Sequence, residues 1–350
     1  MRADRGGHAC RAGCGPVREA GRGGRAVSGV LVVIAQPGSD GLNQAEGEAL
    51  GLGRSLADAL GEPLACALIG RGLDAAAAEA AERGAEQVLS ADADHLATFS
   101  GDAVVAAAAE AVSASGASSV IVARGPNSLE LAPRLGARLG GGCVMGVSGF
   151  RTDGANVEAV ASVFGGSARA VYRMNATPRV VSLAPGVATP PDREAGRTAE
   201  VVALDVAPAE ERVTVEQAAE LTGPRLEDAK IVVSGGRGLQ LGDNFDLIRD
   251  LAEALGGLPG ASRAIVDDGW APAEEQVGLT GKIVSPDLYI AAGISGASQH
   301  MVGCSTARVL VGINTDGDAP IFRYARYGIT ADCLEVLPEL IRLARERAEG

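Results

Sequence analysis

From Val30 onward, short apolar runs alternate with Ala-rich runs of helical length, and this alternation restricts the chain to one class of architecture. Residues 30–35, 64–69, 87–90 and 119–123 read as strands, and 44–59, 74–83 and 102–115 read as the helices between them. A helix after each strand carries the chain back to the starting edge. The pattern therefore predicts a parallel, doubly wound sheet with both faces covered. Residues 143–150, 157–164, 168–172 and 179–183 follow as β runs without helices. They predict a local switch to antiparallel pairing that closes the first domain.

Between residues 185 and 226 the composition shifts to Pro, Glu, Thr and Ala, which suits a connecting segment with one edge strand at 200–205 and a hinge within 203–226. A second α/β unit then begins with a strand at 230–234, a turn at 235–238 and a helix at 243–255. Phe245, Ile248, Leu251, Ala252 and Leu255 share one face of that helix. Further strands are expected at 263–267, 288–292 and 308–313. Trp270 reads as a packing residue beside Pro272. A last helix, starting near Pro338, should bury Leu337, Leu340, Ile341 and Ala344 and leave Arg342, Arg345 and Glu346 wet. Domains of 28–222 and 223–350 follow. Residues 1–27 are Gly- and Arg-rich with no apolar core segment, as in an Arg-rich leader or an over-extended start with Val27 as the true initiator. They are left out of the fold.

Composition narrows the function. With 350 residues and 47% hydrophobic content, the chain can fill two cores. Its net charge of −13 argues against a sequence-independent grip on nucleic acid, which needs clustered Lys and Arg. The longest apolar runs are strand-sized, well short of the roughly 20 residues that cross a bilayer, so no membrane insertion is expected. Six scattered cysteines with no CxxC fit a reducing cytoplasm. His8, Cys10 and Cys14 lack the fourth ligand a structural zinc requires, so no metal site is expected.

The chemistry concentrates between Leu288 and Asp332. There an apolar strand runs into the small residues Gly293, Ser295 and Gly296, a short segment carries Gln299 and His300, and a second strand ends on Asn314. Glycines let backbone approach a ligand, and the first amides after a strand are free to face a diphosphate. Upstream, Ser234 to Gly238 (SGGRG) is a strand-to-helix turn in the same position, although it is not the G-x-G-x-x-G fingerprint. Arg237 within it is shaped for a phosphate oxygen or a ring carbonyl. Arg263 taken alone reads as a surface ion pair, and Gln276 to Gly281 as a polar turn. His300 is one of three histidines and lies where open α/β sheets place ligands. Hydrolysis is not supported: there is no G-x-S-x-G elbow, and no acid near His300 in sequence. Ser295 is better read as a phosphate or ribityl contact. On the residues alone this is a nucleotide loop of unspecified cargo.

Taken in order, SGGRG, GASRAIVD, QVGLTGK, PDLYIAAGISGASQH, GIN, DAPIF and YGITAD resemble the alpha subunit of electron transfer flavoprotein, densely over 230–339. In the first domain the resemblance continues through VLVV, LAPRLGARLG (131–140) and FGGSARAVY (164–172). It implies an N-terminal doubly wound, nucleotide-binding-like domain that packs on a beta subunit, and a C-terminal Rossmann-like domain carrying extended FAD. It places Arg237, Ser262 and Arg263 by the flavin ring or its attachment, with Arg263 supplying positive charge. Gln276, Val277, Gly278, Leu279 and Thr280 become the turn around the reactive ring edge, with Thr280 hydrogen-bonding near N5. Ser295, Gly296, Ala297, Ser298, Gln299 and His300 become the flavin and diphosphate loop. His300, near the pyrimidine carbonyl, would act as a positive or donor group, and Asn314 and Asp332 would hold the adenosine half.

Three positions depart from the family pattern: Leu279 stands for Gln, Thr315 for Lys and Cys333 for Leu. The activity implied is that of an electron carrier without substrate chemistry of its own. It would link flavin dehydrogenases, such as those acting on acyl-CoA in fatty acid β-oxidation, to a membrane quinone oxidoreductase. An electron-bifurcating complex and an adenine-nucleotide-binding paralogue without a redox role are the alternatives. The paralogue would need only Asn314 and Asp332, whereas a carrier also needs Arg263, Thr280 and His300.

Overall fold

The computed structural model describes residues 29–125, 127–154, 156–164, 168–209 and 225–349. The extension expected at 1–27, the boundary expected at 222–223 and most of the expected hinge lie outside them.

The first unit runs β1 (Val30–Ala35), α1 (Gln44–Leu60), β2 (Leu64–Gly70), α2 (Asp74–Glu82), β3 (Gln87–Asp92), α3 (Gly101–Ser115), β4 (Ser119–Val122), α4 (Ser128–Arg138), β5 (Gly142–Asp153), β6 (Asn156–Val163), β7 (Ala168–Arg173), β8 (Arg179–Leu183) and β9 (Glu200–Ala203). Its sheet has the order β7-β6-β5-β8-β4-β1-β2-β3-β9. Val30 to Ile34 are wholly buried, as a near-continuous apolar strand must be when helices cover both faces. Asn43 and Glu46 close a capping box at the start of α1, with the Glu46 amide donating to Asn43 Oδ1 at 3.0 Å and the Asn43 amide donating to Glu46 Oε2 at 2.8 Å.

The expected antiparallel switch is confined to β5, β6 and β7. β8 instead inserts parallel between β4 and β5. Val180, Val181 and Leu183 are buried, so this strand needs an interior place, whereas β7 at the edge is mostly exposed.

The second unit contains β10 (Ile231–Gly235), α5 (Asp246–Ala254), β11 (Leu258–Ser262), α6 (Arg263–Asp267), β12 (Gln276–Val277), β13 (Leu288–Ala292), α7 (Ser298–Met301), β14 (Val309–Asn314), β15 (Tyr327–Thr330) and α8 (Cys333–Glu349). All neighbours in its sheet, β12-β11-β10-β13-β14-β15, pair in parallel. Two expectations need correction. Residues 263–267 form a helix, and the strand is the preceding LPGAS. That strand accommodates Pro259 because β12 flanks only Ala261 and Ser262, so the Pro259 end has one neighbour and tolerates a missing N–H. The last helix starts at Cys333, five residues before Pro338. Asp332 sets that start by accepting the Leu334 amide at 2.9 Å, and a polar cap outweighs the preference of Pro for a first turn.

Candidate functional site

In the second sheet the chain builds β10, moves to one side for β11 and β12, and returns to the other side of β10 for β13, β14 and β15. The carboxyl ends of β10 and β13 therefore flank a topological switch point, where open α/β sheets leave a crevice for ligands. A cleft of about 710 Å³ opens there, lined by residues that follow β11, β10, β13, β14 and β15. At one strand spacing per step it spans about 19 Å. Its floor is backbone against backbone. The Gly236 amide donates to the Ala292 carbonyl at 2.9 Å and the Gly238 amide to the Gly293 carbonyl at 3.0 Å. Gly293 has φ of +64°, and a Cβ there would lie 2.7 Å from Gly238 Cα, so no side chain fits. In the adjoining loop the amides of Ser295, Gly296, Ala297, Ser298 and Gln299 find no acceptor among the described residues. Such a run of free N–H groups is an anion-binding surface.

At the β11 end, Arg237 reaches Asp268 through two hydrogen bonds of 3.1 and 3.3 Å, and Arg263 reaches Asp267 at 3.3 Å. Both arginine side chains are 66% exposed, so these pairs are weak and the guanidinium groups are free to turn to a ligand. His300 differs. It is 8% exposed, and its Nε2 lies 2.9 Å from the hydroxyl of fully buried Tyr289, while Nδ1 is buried without a partner in hydrogen-bonding geometry. Burial lowers its pKa to about 4, with the backbone of Val277 opposing. The imidazole is therefore neutral, so of the two roles expected of it, positive group or donor, only the donor remains.

At the β15 end, Asn314 donates to the Ile294 carbonyl at 3.0 Å and accepts the Asp316 amide at 2.9 Å. Asp332 accepts Leu334 N–H on Oδ1 and, at 3.3 Å, Gln240 Nε2 on Oδ2. Cys333 also lines this end. Burial first and Asp332 second push its thiol up to about 11, so it remains protonated.

The cleft thus brings together Arg237, Ser262, Arg263, Ser295, Ala297, Gln299, His300, Asn314 and Asp332. The remaining expected residues stand outside its lining. Gly296 packs on the Ile321 backbone, and Ser298 is the first residue of α7. Gln276, Gly278 and Thr280 form a turn closed by Gln276 Nε2 donating to Thr280 Oγ1 at 3.0 Å, and Val277 is buried. The Leu279 amide ties this turn to the cleft by donating to the Gln299 carbonyl at 2.8 Å. The Leu279 side chain faces a different cavity, of about 1090 Å³, beyond the ends of β1 and β4. Gly236, Gln240, Ala264 and Ile294 line the cleft without having been singled out as site residues. Gly236 was visible within SGGRG, but a lone Gln, an Ala and an Ile carry no sequence signal.

A family model described as the electron transfer flavoprotein FAD-binding domain matches residues 225–305, and one described as the electron transfer flavoprotein domain matches residues 30–209. The Bacillus subtilis electron transfer flavoprotein subunit alpha is 33% identical over 314 residues, covering 89% of this chain and 95% of that protein. The chain belongs to the electron transfer flavoprotein alpha-subunit family. The subunit alpha of Syntrophomonas wolfei is 35% identical over 301 residues, covering 82% of this chain and 91% of its own length. That of Pseudomonas aeruginosa is 56% identical over 125 residues, covering 36% and 40%.

The cofactor of this family's second domain is FAD, and the cleft fits it. Its length suits an extended dinucleotide, the free amides of the lining residues Ser295, Ala297 and Gln299 suit a diphosphate, and the unpartnered His300 Nδ1 leaves a polar group unsatisfied at the end where the guanidinium groups gather. No group of three or more His, Cys, Asp or Glu among the described residues could hold a metal ion. No helix among them is long and apolar enough to cross a membrane.

Proposed function

We propose that the chain is the FAD-carrying subunit of a heterodimer with a beta subunit. In the cytoplasm it would take electrons from acyl-CoA-type and other flavin dehydrogenases and pass them to a membrane quinone oxidoreductase. The observation carrying this reading is the two-ended cleft, with Arg237, Arg263 and His300 at one end, Asn314 and Asp332 at the other, and free amides between them. A nucleotide sensor would need only the Asn314 end.

When bound, FAD supplies one- and two-electron redox chemistry. The protein supplies position and field. Ser262, Arg237 and Arg263 hold the ring end, and the two guanidinium groups favour electron density there by plain Coulomb attraction. Neutral His300 contributes a polar contact free of counterion demand. The amides of Ser295, Ala297 and Gln299 would hold the diphosphate, and Asn314 and Asp332 the adenosine half. The turn from Gln276 to Thr280 acts from just outside, through the bond of its Leu279 amide to Gln299. No group in the cleft is arranged as a nucleophile with a base, which suits a carrier.

The test is co-expression with a beta subunit, followed by a visible spectrum and release of cofactor by denaturation. A yellow heterodimer releasing one FAD from this subunit's cleft is expected, and a colourless one would remove the reading. Reduction by an acyl-CoA dehydrogenase with its substrate then tests the donor, and reoxidation by a quinone reductase the acceptor.

A further inference from the structure

Gln240 lines the cleft beside Asp332 and holds a backbone conformation that side-chain-bearing residues avoid, with φ 67° and ψ −38°. The Leu241 amide donates to the Leu239 carbonyl, two residues back, at 2.7 Å. Gln240 is thus the centre of the rarer, strained form of γ-turn. Glycine would hold this turn at no steric penalty, so the strain calls for something the side chain does. Residues kept in such conformations cluster at ligand sites, where surrounding structure enforces them.

The turn delivers the carboxamide. Nε2 reaches Asp332 Oδ2 at 3.3 Å across a sequence separation of 92 residues, while Oδ1 is held by Leu334 N–H at 2.9 Å. The carboxylate is therefore fixed from two sides. Oε1 of Gln240 accepts no hydrogen bond from the described residues. An oriented carboxylate beside an open amide oxygen forms a pair of acceptors, the chemistry that recognises hydroxyl and amino donors of a nucleoside.

We propose that Gln240 is a further cofactor-binding residue, whose strained turn orients Asp332 and completes with it an acceptor pair for the adenosine half of FAD. This rests on the reading that FAD lies with its adenosine over β14 and β15. A residue that merely pinned the turn to α8 would affect stability alone.

The experiment uses the heterodimer with its beta subunit, stripped of FAD and titrated separately with FAD, ADP and riboflavin. Wild-type protein that takes up no FAD would sink the underlying reading. With wild type binding, Gln240→Gly should weaken FAD and ADP each about tenfold, through loss of the amide acceptor and of the bond that orients Asp332. It should leave riboflavin affinity and the flavin midpoint potential unchanged, and it should not lower the melting temperature of the FAD-free protein, because glycine relieves the turn. Gln240→Asn tolerates a positive φ but is one methylene short of Asp332, so it should show the same loss and decides the matter if the glycine variant does not assemble. Wild-type affinity for FAD and ADP in whichever variant assembles overturns the proposal.

Discussion

The most exacting consequence of the cleft concerns the proton on His300. Free imidazole ionises near 6.5, and burial brings His300 to about 4. The difference of about 2.5 units corresponds to about 3.4 kcal/mol held against the imidazolium. The sign follows from which state takes the proton. Between pH 6.5 and 4 the unfolded chain binds it and the folded chain does not, so this stability is complete above pH 6.5 and is lost as the pH falls toward 4. Tyr289→Phe removes the hydroxyl 2.9 Å from Nε2 and leaves both ring nitrogens unpaired, at a cost of about 1–3 kcal/mol. It leaves the pKa low, because burial is the dominant cause. The chain has three histidines, His8, His95 and His300, so the imidazole resonances of a histidine-labelled protein are few, and His300→Asn assigns the third. The His300 signal should stay in its neutral position down to about pH 4. A midpoint at pH 6 or above would refute the argument and put a cation at the ring end of the cleft.

Other outcomes follow from the same geometry. Gly293→Ala forces a Cβ to 2.7 Å from Gly238 Cα at a φ of +64°, and should destabilise the second domain by about 2–5 kcal/mol in urea unfolding and abolish FAD retention; a variant that unfolds and binds like wild type would show that the two loops can separate freely. Arg263→Ala should lower the flavin midpoint potential by tens of millivolts, on the order of 1 kcal/mol for so exposed a charge, with FAD content preserved; an unchanged redox titration would leave Arg263 as a surface partner of Asp267. In the first domain, burial raises buried Glu46 from 4.5 to about 7. The folded state then keeps a proton that the unfolded state releases, so stability drops by about 3.4 kcal/mol as the pH rises from 4.5 through 7. Glu46→Gln should recover most of that at pH 8, less about 1 kcal/mol for the weakened capping box, and should gain nothing at pH 4.5. Equal effects at both values in denaturant titrations would count against a buried neutral carboxyl.

The alternation of apolar and Ala-rich runs determined the class of fold, because a strand buried on both faces needs helices above and below it, and β1 to β4 needed no tertiary information to be found. The small-residue loop after β13 likewise declared a nucleotide site, since only such residues bring backbone to a phosphate. Other features were decided by packing. β8 reads like its antiparallel predecessors, and only its burial between β4 and β5 made it parallel. The strand expected at 263–267 lies at LPGAS instead, and only the bare Pro259 edge let that segment be a strand. Local pattern cannot tell which neighbours a segment will meet.

The same division runs through the site. Residue type pointed to Arg237 and His300, and the family resemblance added Arg263, Asn314 and Asp332, but neither told whether His300 would be charged, which depends on how much water the folded chain leaves around it. Nor could residue type single out Gln240, whose role arises from a left-handed turn and a carboxylate 92 positions away. The sequence by itself determined the architecture and the kind of ligand, because those rest on periodicity and side-chain chemistry. Protonation, strain and the lining of the cleft were left to the tertiary structure, because they depend on distances between residues that meet only after folding.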